Sequence, residues 1–159
     1  MLQIYTIGED VLRKSCSPVE EVNEDIIDLA HTMLEKMYTD DGLGLAAPQV
    51  GVDKRIFVCH VQNDHARIFI NPQLIGTSQE QSSYEEGCLS IPGVYADVTR
   101  PSSISVQALN ERGRPFNLEA HGMLARVILH EMDHLKGVLF IDHLEEKRRE
   151  KLLKAYNKE

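Results

Sequence analysis

The clearest hydrophobic pattern in the chain lies between Asn23 and Thr39. Apolar residues recur there at the i, i+3, i+4, i+7 spacing of one helix face, as Ile26, Ile27, Leu29, Ala30, Met33, Leu34 and Met37. Asn23 is suited to cap the start of this helix, and Asp40-Asp41-Gly42 follows as a stop signal. The pattern predicts an amphipathic helix over this segment.

The middle third of the chain carries short β-rich runs that prolines and glycine-containing turns separate. Ser103–Leu109 alternates apolar and polar residues with period two, as a half-buried strand does. The predicted strands lie within Arg55–Val61, Arg67–Ile70, Leu74–Ile75, Ser83–Glu86 and Ser102–Asn110.

Helical patterns return in the last third, at roughly His121–Leu135 and Leu144–Tyr156. Strands gathered between helices, without a regular βαβ alternation, predict an α+β fold. No internal repeat or Pro/Ser-rich linker interrupts the chain, so we expect a single catalytic domain over residues 1–159.

Composition narrows the range of partners. The chain is 42% hydrophobic and 26% charged, which is ordinary for a globular protein. Its formal net charge of −8 argues against non-specific nucleic-acid binding, because a polyanion would be repelled. The N-terminus lacks the features of a secretory signal, and no apolar run approaches the roughly 20 residues that span a bilayer. We therefore expect a cytoplasmic protein without a membrane partner or specific nucleic-acid recognition.

An H-E-x-x-H motif, His130-Glu131-Met132-Asp133-His134, lies inside the predicted helix at His121–Leu135. Residues at i and i+4 share a helix face, so the imidazoles of His130 and His134 can converge on one metal ion. Glu131 projects about 100° away around the helix, where a base acting on metal-bound water belongs. An isolated motif of this length can also be a helix that happens to carry two histidines.

A catalytic site of this kind needs three protein ligands and an open position. Phe140 stands where metzincins place their third histidine, which excludes that class. A distant glutamate, as in thermolysin-type enzymes, is one alternative. Cys88 is the better candidate, because Glu86-Gly87-Cys88-Leu89-Ser90 resembles a strand passing a glycine bend. A thiolate is also a strong ligand for divalent iron, zinc or nickel.

Three blocks together resemble the peptide deformylase family. They are Gly42-Leu43-Gly44-Leu45-Ala46-Ala47-Pro48-Gln49, Glu86–Ser90 and His130-Glu131-Met132-Asp133-His134-Leu135-Lys136-Gly137, in the family's order. The resemblance covers essentially the whole chain. It implies a peptide-deformylase-like α+β fold, with short antiparallel or mixed sheets around a central helix that carries the H-E-x-x-H motif. N-terminal and C-terminal helices complete the implied fold.

The resemblance also implies the chemistry. Cys88, His130 and His134 would hold one Fe²⁺ per chain, which Zn²⁺, Ni²⁺ or Co²⁺ can replace. The substrates would be N-formylated nascent peptides, whose formyl-methionine would be hydrolysed to release formate. The catalytic residues would be Glu131, which handles protons, and Gln49 and Leu89, whose side-chain amide and backbone N–H stabilise the developing oxyanion.

The peptide itself is expected to contact residues from two of the blocks and from the motif helix. The glycine-rich block resembles a phosphate loop as well, but no Lys-Ser/Thr or helix opening follows it. Its glycines instead suit pairing with an extended peptide. The stripe that leads to His130 suits a pocket for the methionine side chain, with core packing as the alternative. The expected contacts are Gly42, Leu43, Gly44, Gly87, Met123 and Val127.

Two features of the chain concern its binding to larger partners. Tyr95 stands where many family members carry an arginine linked to substrate backbone contact. The charged C-terminal helix resembles the bacterial type, which in relatives can dock on the ribosome near the nascent-chain exit. Its basic residues are Lys147, Arg148, Arg149 and Lys151.

Two other functions compete with deformylation at this stage. One is a metal-containing binding module without activity, which the intact set of Glu131, Gln49 and Cys88 argues against. The other is an endopeptidase of the H-E-x-x-H type. A cysteine ligand is unusual in such enzymes, and the chain is short for an extended cleft with a prodomain.

Overall fold

The computed structural model describes residues 2–157, in which helices pack on both faces of an antiparallel sheet. The α-helices are α1 (Glu24–Thr39), α2 (Gly122–His134) and α3 (Glu146–Asn157). The strands are β1 (Gly44–Ala46), β2 (Ile56–Cys59), β3 (Arg67–Thr77), β4 (Gln81–Cys88), β5 (Ile91–Pro101), β6 (Ser103–Leu109) and β7 (Pro115–His121). No helix within these residues is both long and apolar enough to cross a bilayer.

Helix α1 forms as its sequence predicts. The side chain of Asn23 caps it by accepting a hydrogen bond of 3.1 Å from the backbone N–H of Ile26. Glu24 and Asp25 lie in the first turn, where negative charge stabilises the helix dipole. The buried face consists of Ile26, Ala30, Met33 and Met37, which follow the predicted helical spacing.

The strands form two sheets. Five of them pair antiparallel in the order β1-β2-β3-β6-β7, which leaves β1 at one edge. The other two, β4 and β5, form a separate hairpin in which Glu86 lies opposite Ala96. In β6 the residues Ile104, Val106 and Ala108 are buried, which confirms the predicted alternation.

The core lies on both faces of the larger sheet. In β2, Phe57 and Cys59 belong to the cluster that contains α2, while Ile56 and Val58 belong to the cluster that contains α1. Alternate residues of a strand point to opposite faces, so all four residues of β2 are buried. Helix α2 is therefore enclosed by the fold, and the expected central position of the motif helix is confirmed.

Three strands were missed by the sequence pattern, namely β1, β5 and β7. In β5, Pro92 and Gly93 looked like turn residues, and Gly93 has a φ of +78°. The burial alternation of β5 becomes regular only after this point. Conversely, Arg67–Ile70 and Leu74–Ile75 belong to one strand, β3, because an irregular register between Ile70 and Gln73 accommodates Pro72.

Candidate metal centre

The two histidines of the motif lie on α2 and face the end of β4. The potential ligand atoms of Cys88, His130 and His134 all lie within 4.8 Å of one another. The Sγ atom of Cys88 is 3.4 Å from Nε2 of His134. Both histidines are buried, with 7% and 1% of their surfaces exposed. The fold thus brings together the three residues that the sequence proposed as ligands.

The residues of this cluster fit a divalent metal ion. One thiolate and two imidazoles form a donor set that iron, zinc and nickel accept, and it leaves a fourth position free. Within residues 2–157, Oε1 of Glu131 and Nδ1 of His134 are the buried side-chain polar atoms without a hydrogen-bond partner. A buried carboxylate oxygen without a partner, next to three such donors, is suited to a water molecule or ion.

Glu86 orients one of the ligands. Its Oε1 lies 2.9 Å from Nδ1 of His130, so Nδ1–H donates and Nε2 is left to bind metal. Arg100 donates to both oxygens of Glu86, and Arg126 donates to Oε2 at 2.6 Å. Burial by itself raises the pKa of Glu86, but hydrogen bonds from His130 and Arg100 outweigh it and lower the pKa to about 2.

These buried charges form a network that the sequence did not predict. Nη1 of Arg100 donates a hydrogen bond of 2.9 Å to Oδ2 of Asp133, which adds this residue to the network. Nε2 of His143 lies 2.7 Å from the same Asp133 oxygen. Arg126 also donates to the carbonyl oxygens of Val98 and Ser82. A signal for Arg126 was present, because it is a charge inside an apolar helical run, four residues before His130.

Replacing Glu86 with alanine should lower the free energy of unfolding by about 3–5 kcal/mol, because it leaves two buried guanidinium groups without their carboxylate. Urea unfolding of the metal-free protein would measure the change. The matched control is the neighbouring, exposed Glu85. Its alanine variant should stay within about 0.5 kcal/mol of the parent. Equal losses in the two variants would contradict the role of this network.

A cavity of about 540 Å³ opens beside the cluster. All the residues that the sequence proposed for the site line this cavity, except His134. His134 does not line the cavity but contacts Cys88, which does. The sequence-based residues in the lining are Gly42, Leu43, Gly44, Gln49, Gly87, Cys88, Leu89, Met123, Val127, His130 and Glu131. Tyr95, which the sequence analysis singled out without a role, also lines it. The lining residues that the sequence did not propose are Asp40, Asp41, Tyr84, Glu85, Glu86, Ile91, Pro92, Gly93 and Arg126.

Gln49 is held in one orientation, and only 1% of its surface is exposed. Its Oε1 accepts a hydrogen bond of 2.9 Å from the backbone N–H of Ala46. Its Nε2 is therefore the group that faces the cluster, 3.1 Å from Oγ of Ser90 and 3.5 Å from Sγ of Cys88. This arrangement directs amide N–H donors toward the cavity wall beside Cys88.

Glu131 lies against β1 at a point where only glycine fits. A Cβ atom at Gly44 would come within 2.5 Å of Oε2 of Glu131. Burial is the main reason why the pKa of Glu131 is raised to about 7, and the nearby charge of Glu86 raises it further. The absence of a side chain at Gly44 therefore lets β1 approach this carboxyl group closely.

Comparison with known proteins agrees with this geometry. The chain matches the family described as polypeptide deformylase over residues 1–150. It is 51% identical to a peptide deformylase of Borreliella burgdorferi over 160 residues, which cover 99% of this chain and 96% of the relative. It is 49% identical to a peptide deformylase of Treponema pallidum over 155 residues, which cover 98% and 95% of the two chains.

Solved structures agree as well. The peptide deformylase of Ehrlichia chaffeensis in complex with actinonin has a TM-score of 0.96 and 38% identity, with 99% of this chain and 96% of that one covered. The peptide deformylase of Thermus thermophilus has a TM-score of 0.93 and 39% identity, with 99% and 94% covered. Likeness of sequence and fold over nearly the whole length shows that this chain belongs to the peptide deformylase family.

Proposed function

We propose that this protein removes the formyl group from the N-terminal formyl-methionine of newly made peptides, releasing formate and a free α-amino group. The observation that carries the proposal is the position of the Cys88, His130 and His134 cluster. Cys88 and His130 of this cluster line a cavity that Glu131 also lines. The chain that carries the cluster belongs to the deformylase family.

The roles of the site residues follow from their chemistry. A divalent ion bound by the cluster would supply a Lewis acid, which acidifies water and polarises a carbonyl group. Glu131 accepts a proton from the attacking water and returns it to the departing amine. The side-chain N–H of Gln49 and the backbone N–H of Leu89 donate to the oxygen on which negative charge develops. The fixed amide of Gln49 supports its part of this proposal.

An extended peptide suits the shape of the cavity. Strand β1 is an edge of its sheet, and its glycine-rich approach lines one side of the cavity with Gly42, Leu43 and Gly44. Gly87, near the end of β4, lines the cavity from the smaller sheet. Backbone groups on both sides favour a substrate that enters as an added strand.

The methionine side chain would bind against Leu43, Met123 and Val127, which line the same cavity. Replacing Val127 with tryptophan should raise KM for formyl-methionine peptides about tenfold, because the larger ring fills the pocket. Steady-state kinetics on formyl-Met-Ala-Ser and formyl-Ala-Ala-Ser would measure this. The smaller substrate is the internal control and should lose less. An unchanged KM for the methionine peptide would contradict the pocket.

For the metal we propose Fe²⁺, one ion per chain, with Zn²⁺, Ni²⁺ or Co²⁺ able to substitute. The mixed thiolate and imidazole donors support this choice but also accept the other ions. Ferrous iron beside a thiolate is sensitive to oxygen, because both the metal and Cys88 can be oxidised. Metal analysis of protein purified without air would identify the ion.

One assay separates deformylation from the competing functions. The ferrous protein, kept anaerobic, is incubated with formyl-Met-Ala-Ser, with the acetylated peptide and with casein. Formate from the first substrate alone supports the proposal. Casein cleavage would indicate an endopeptidase. A metal-loaded protein that hydrolyses none of the three substrates would indicate a binding module.

Nascent formylated peptides as substrates also suggest where the protein works. Since such peptides arise on ribosomes, the cytoplasm stays the predicted compartment, and one catalytic domain over residues 1–159 stays the predicted organisation. Ribosome docking through α3 also remains a prediction. It rests on the basic residues Lys147, Arg148, Arg149 and Lys151, which Glu146 and Glu150 partly offset.

A further inference from the structure

We propose that Ser90 is a positioning residue for the reaction, because its hydroxyl group fixes the side-chain amide of Gln49 and joins it to the turn that carries Leu89. This inference rests on the proposed deformylase function and on the roles proposed for Gln49 and Leu89. Ser90 is fully buried and does not line the cavity, so it does not contact the substrate itself. It acts through Gln49.

The two proposed oxyanion donors belong to different parts of the fold. Gln49 lies in the short 3₁₀ helix that follows β1, at the edge of the five-stranded sheet. Leu89 and Ser90 form the turn between β4 and β5, in the separate hairpin. Two donors stabilise one oxygen atom only when both point at it, so the spacing between these two parts of the chain has to be fixed.

A direct hydrogen bond connects the two parts. Nε2 of Gln49 donates to Oγ of Ser90 at 3.1 Å, and both residues are buried. The other end of the same amide is held by the backbone N–H of Ala46, which donates to Oε1 at 2.9 Å. With its oxygen and one N–H occupied, the amide plane is fixed. The second N–H is then available on the side of the cluster, where Nε2 lies 3.5 Å from Sγ of Cys88.

The backbone of the N-terminal segment makes the same connection. The N–H of Tyr5 donates to the carbonyl oxygen of Gln49 at 2.7 Å, and the N–H of Ile7 donates to that of Ser90 at 2.9 Å. The ring of Tyr5 also packs on Gly51, where a Cβ atom would come within 2.8 Å of Cε1. Gln49 and Ser90 are therefore joined twice, through their side chains and through this segment. Removal of the hydroxyl group leaves the backbone connection in place and releases only the amide.

Replacing Ser90 with alanine should lower kcat about three- to tenfold, the contribution of one such hydrogen bond. KM and metal content should stay at the parent values, because the oxyanion forms only during the reaction. Steady-state formate release from formyl-Met-Ala-Ser measures both constants. The control is Ser78→Ala, which removes a half-buried hydroxyl that accepts from the backbone N–H of Ser103 and does not line the cavity. Its kcat should equal that of the parent.

A double-mutant cycle tests whether Ser90 acts through Gln49. Gln49→Leu keeps a side chain of similar size without the amide, and it should lower kcat about 10²–10³-fold, as loss of one oxyanion donor does. Adding Ser90→Ala to this variant should lower kcat no further, because no amide is left to orient. Losses that multiply in the double variant would show that Ser90 acts elsewhere and would overturn the inference.

A measurement without turnover follows the amide itself. In a nitrogen–hydrogen correlation NMR spectrum of the zinc-loaded protein, the side-chain N–H pair of Gln49 is the pair that disappears in Gln49→Leu. In Ser90→Ala this pair should shift and exchange with water faster, because one of its N–H groups has lost its acceptor. A pair with parental shifts and exchange rates would contradict the role of the hydroxyl group in holding the amide.

The outcomes distinguish this inference from the proposed function. Without formate release from formyl-Met-Ala-Ser by the metal-loaded parent, the deformylase function fails, and the inference fails with it. A loss of turnover in Gln49→Leu together with parental kcat in Ser90→Ala overturns the role of Ser90 alone. Loss of metal from Ser90→Ala overturns it too, because Ser90 would then support the ligand Cys88 rather than Gln49.

Discussion

Replacing Cys88 with alanine should yield a folded protein that no longer retains its metal ion and no longer releases formate. The thiolate is one of three donors, and its loss leaves two imidazoles on one helix face. Cys88 lies at the end of β4 and is only half-buried, so its removal creates little cavity in the core. Metal content after gel filtration, together with formate release, measures the effect. Because binding requires the complete ligand set, the loss of metal should be near total.

The control for this variant is Cys16→Ala. Cys16 is also a free thiol, but it is buried in the core and lies outside the metal cluster. This variant should keep both metal and activity, so non-specific effects of removing a cysteine are separated from ligand loss. A Cys88→Ala protein that stays active and metal-bound would refute the role of Cys88 as the third ligand.

Replacing Glu131 with glutamine should also abolish most turnover, but unlike Cys88→Ala this variant should retain its metal ion. Glutamine has nearly the same shape, so the close contact with Gly44 is preserved. It cannot accept a proton from water, and loss of a general base lowers kcat by about 10²–10⁴-fold. Steady-state formate release on formyl-Met-Ala-Ser, with metal content measured on the same sample, would test this.

Glu35→Gln provides the matched control for Glu131→Gln. Glu35 is an exposed residue of α1, and its replacement makes the same change in charge and shape. Its kcat should equal that of the parent. A Glu131→Gln variant with parental kcat would exclude Glu131 as the base, whereas loss of metal in that variant would assign it a structural role instead.

The local sequence was sufficient to predict a feature when all the residues that define the feature lie in one helix or strand. The spacing of His130 and His134 on a helix places both rings on one face, and the structure keeps them there. The cap and the buried stripe of α1 were also predictable, because both depend on neighbours within a few residues. The alternation of β6 was predictable for the same reason.

Long-range contacts were not predictable from those patterns. β5 begins with Pro92 and Gly93, which locally favour a turn, yet pairing with β4 makes the eleven residues from Ile91 to Pro101 a strand. β7 has only one fully buried residue, so its burial alternation is weak and pairing with β6 stabilises it. In both cases the partner strand, rather than the local propensity, decides the conformation.

The sequence by itself determined the α+β class, the helix that carries His130 and His134, and, through the three blocks, the family. Only the tertiary structure decided that Cys88 meets those histidines, since the thiol lies 42 residues away from the nearer one along the chain. The tertiary structure also decided that Glu86 connects His130 to two buried arginines. Such contacts depend on how the β4–β5 hairpin packs against α2. The hydrophobic pattern within the hairpin or within the helix does not indicate how the two pack together.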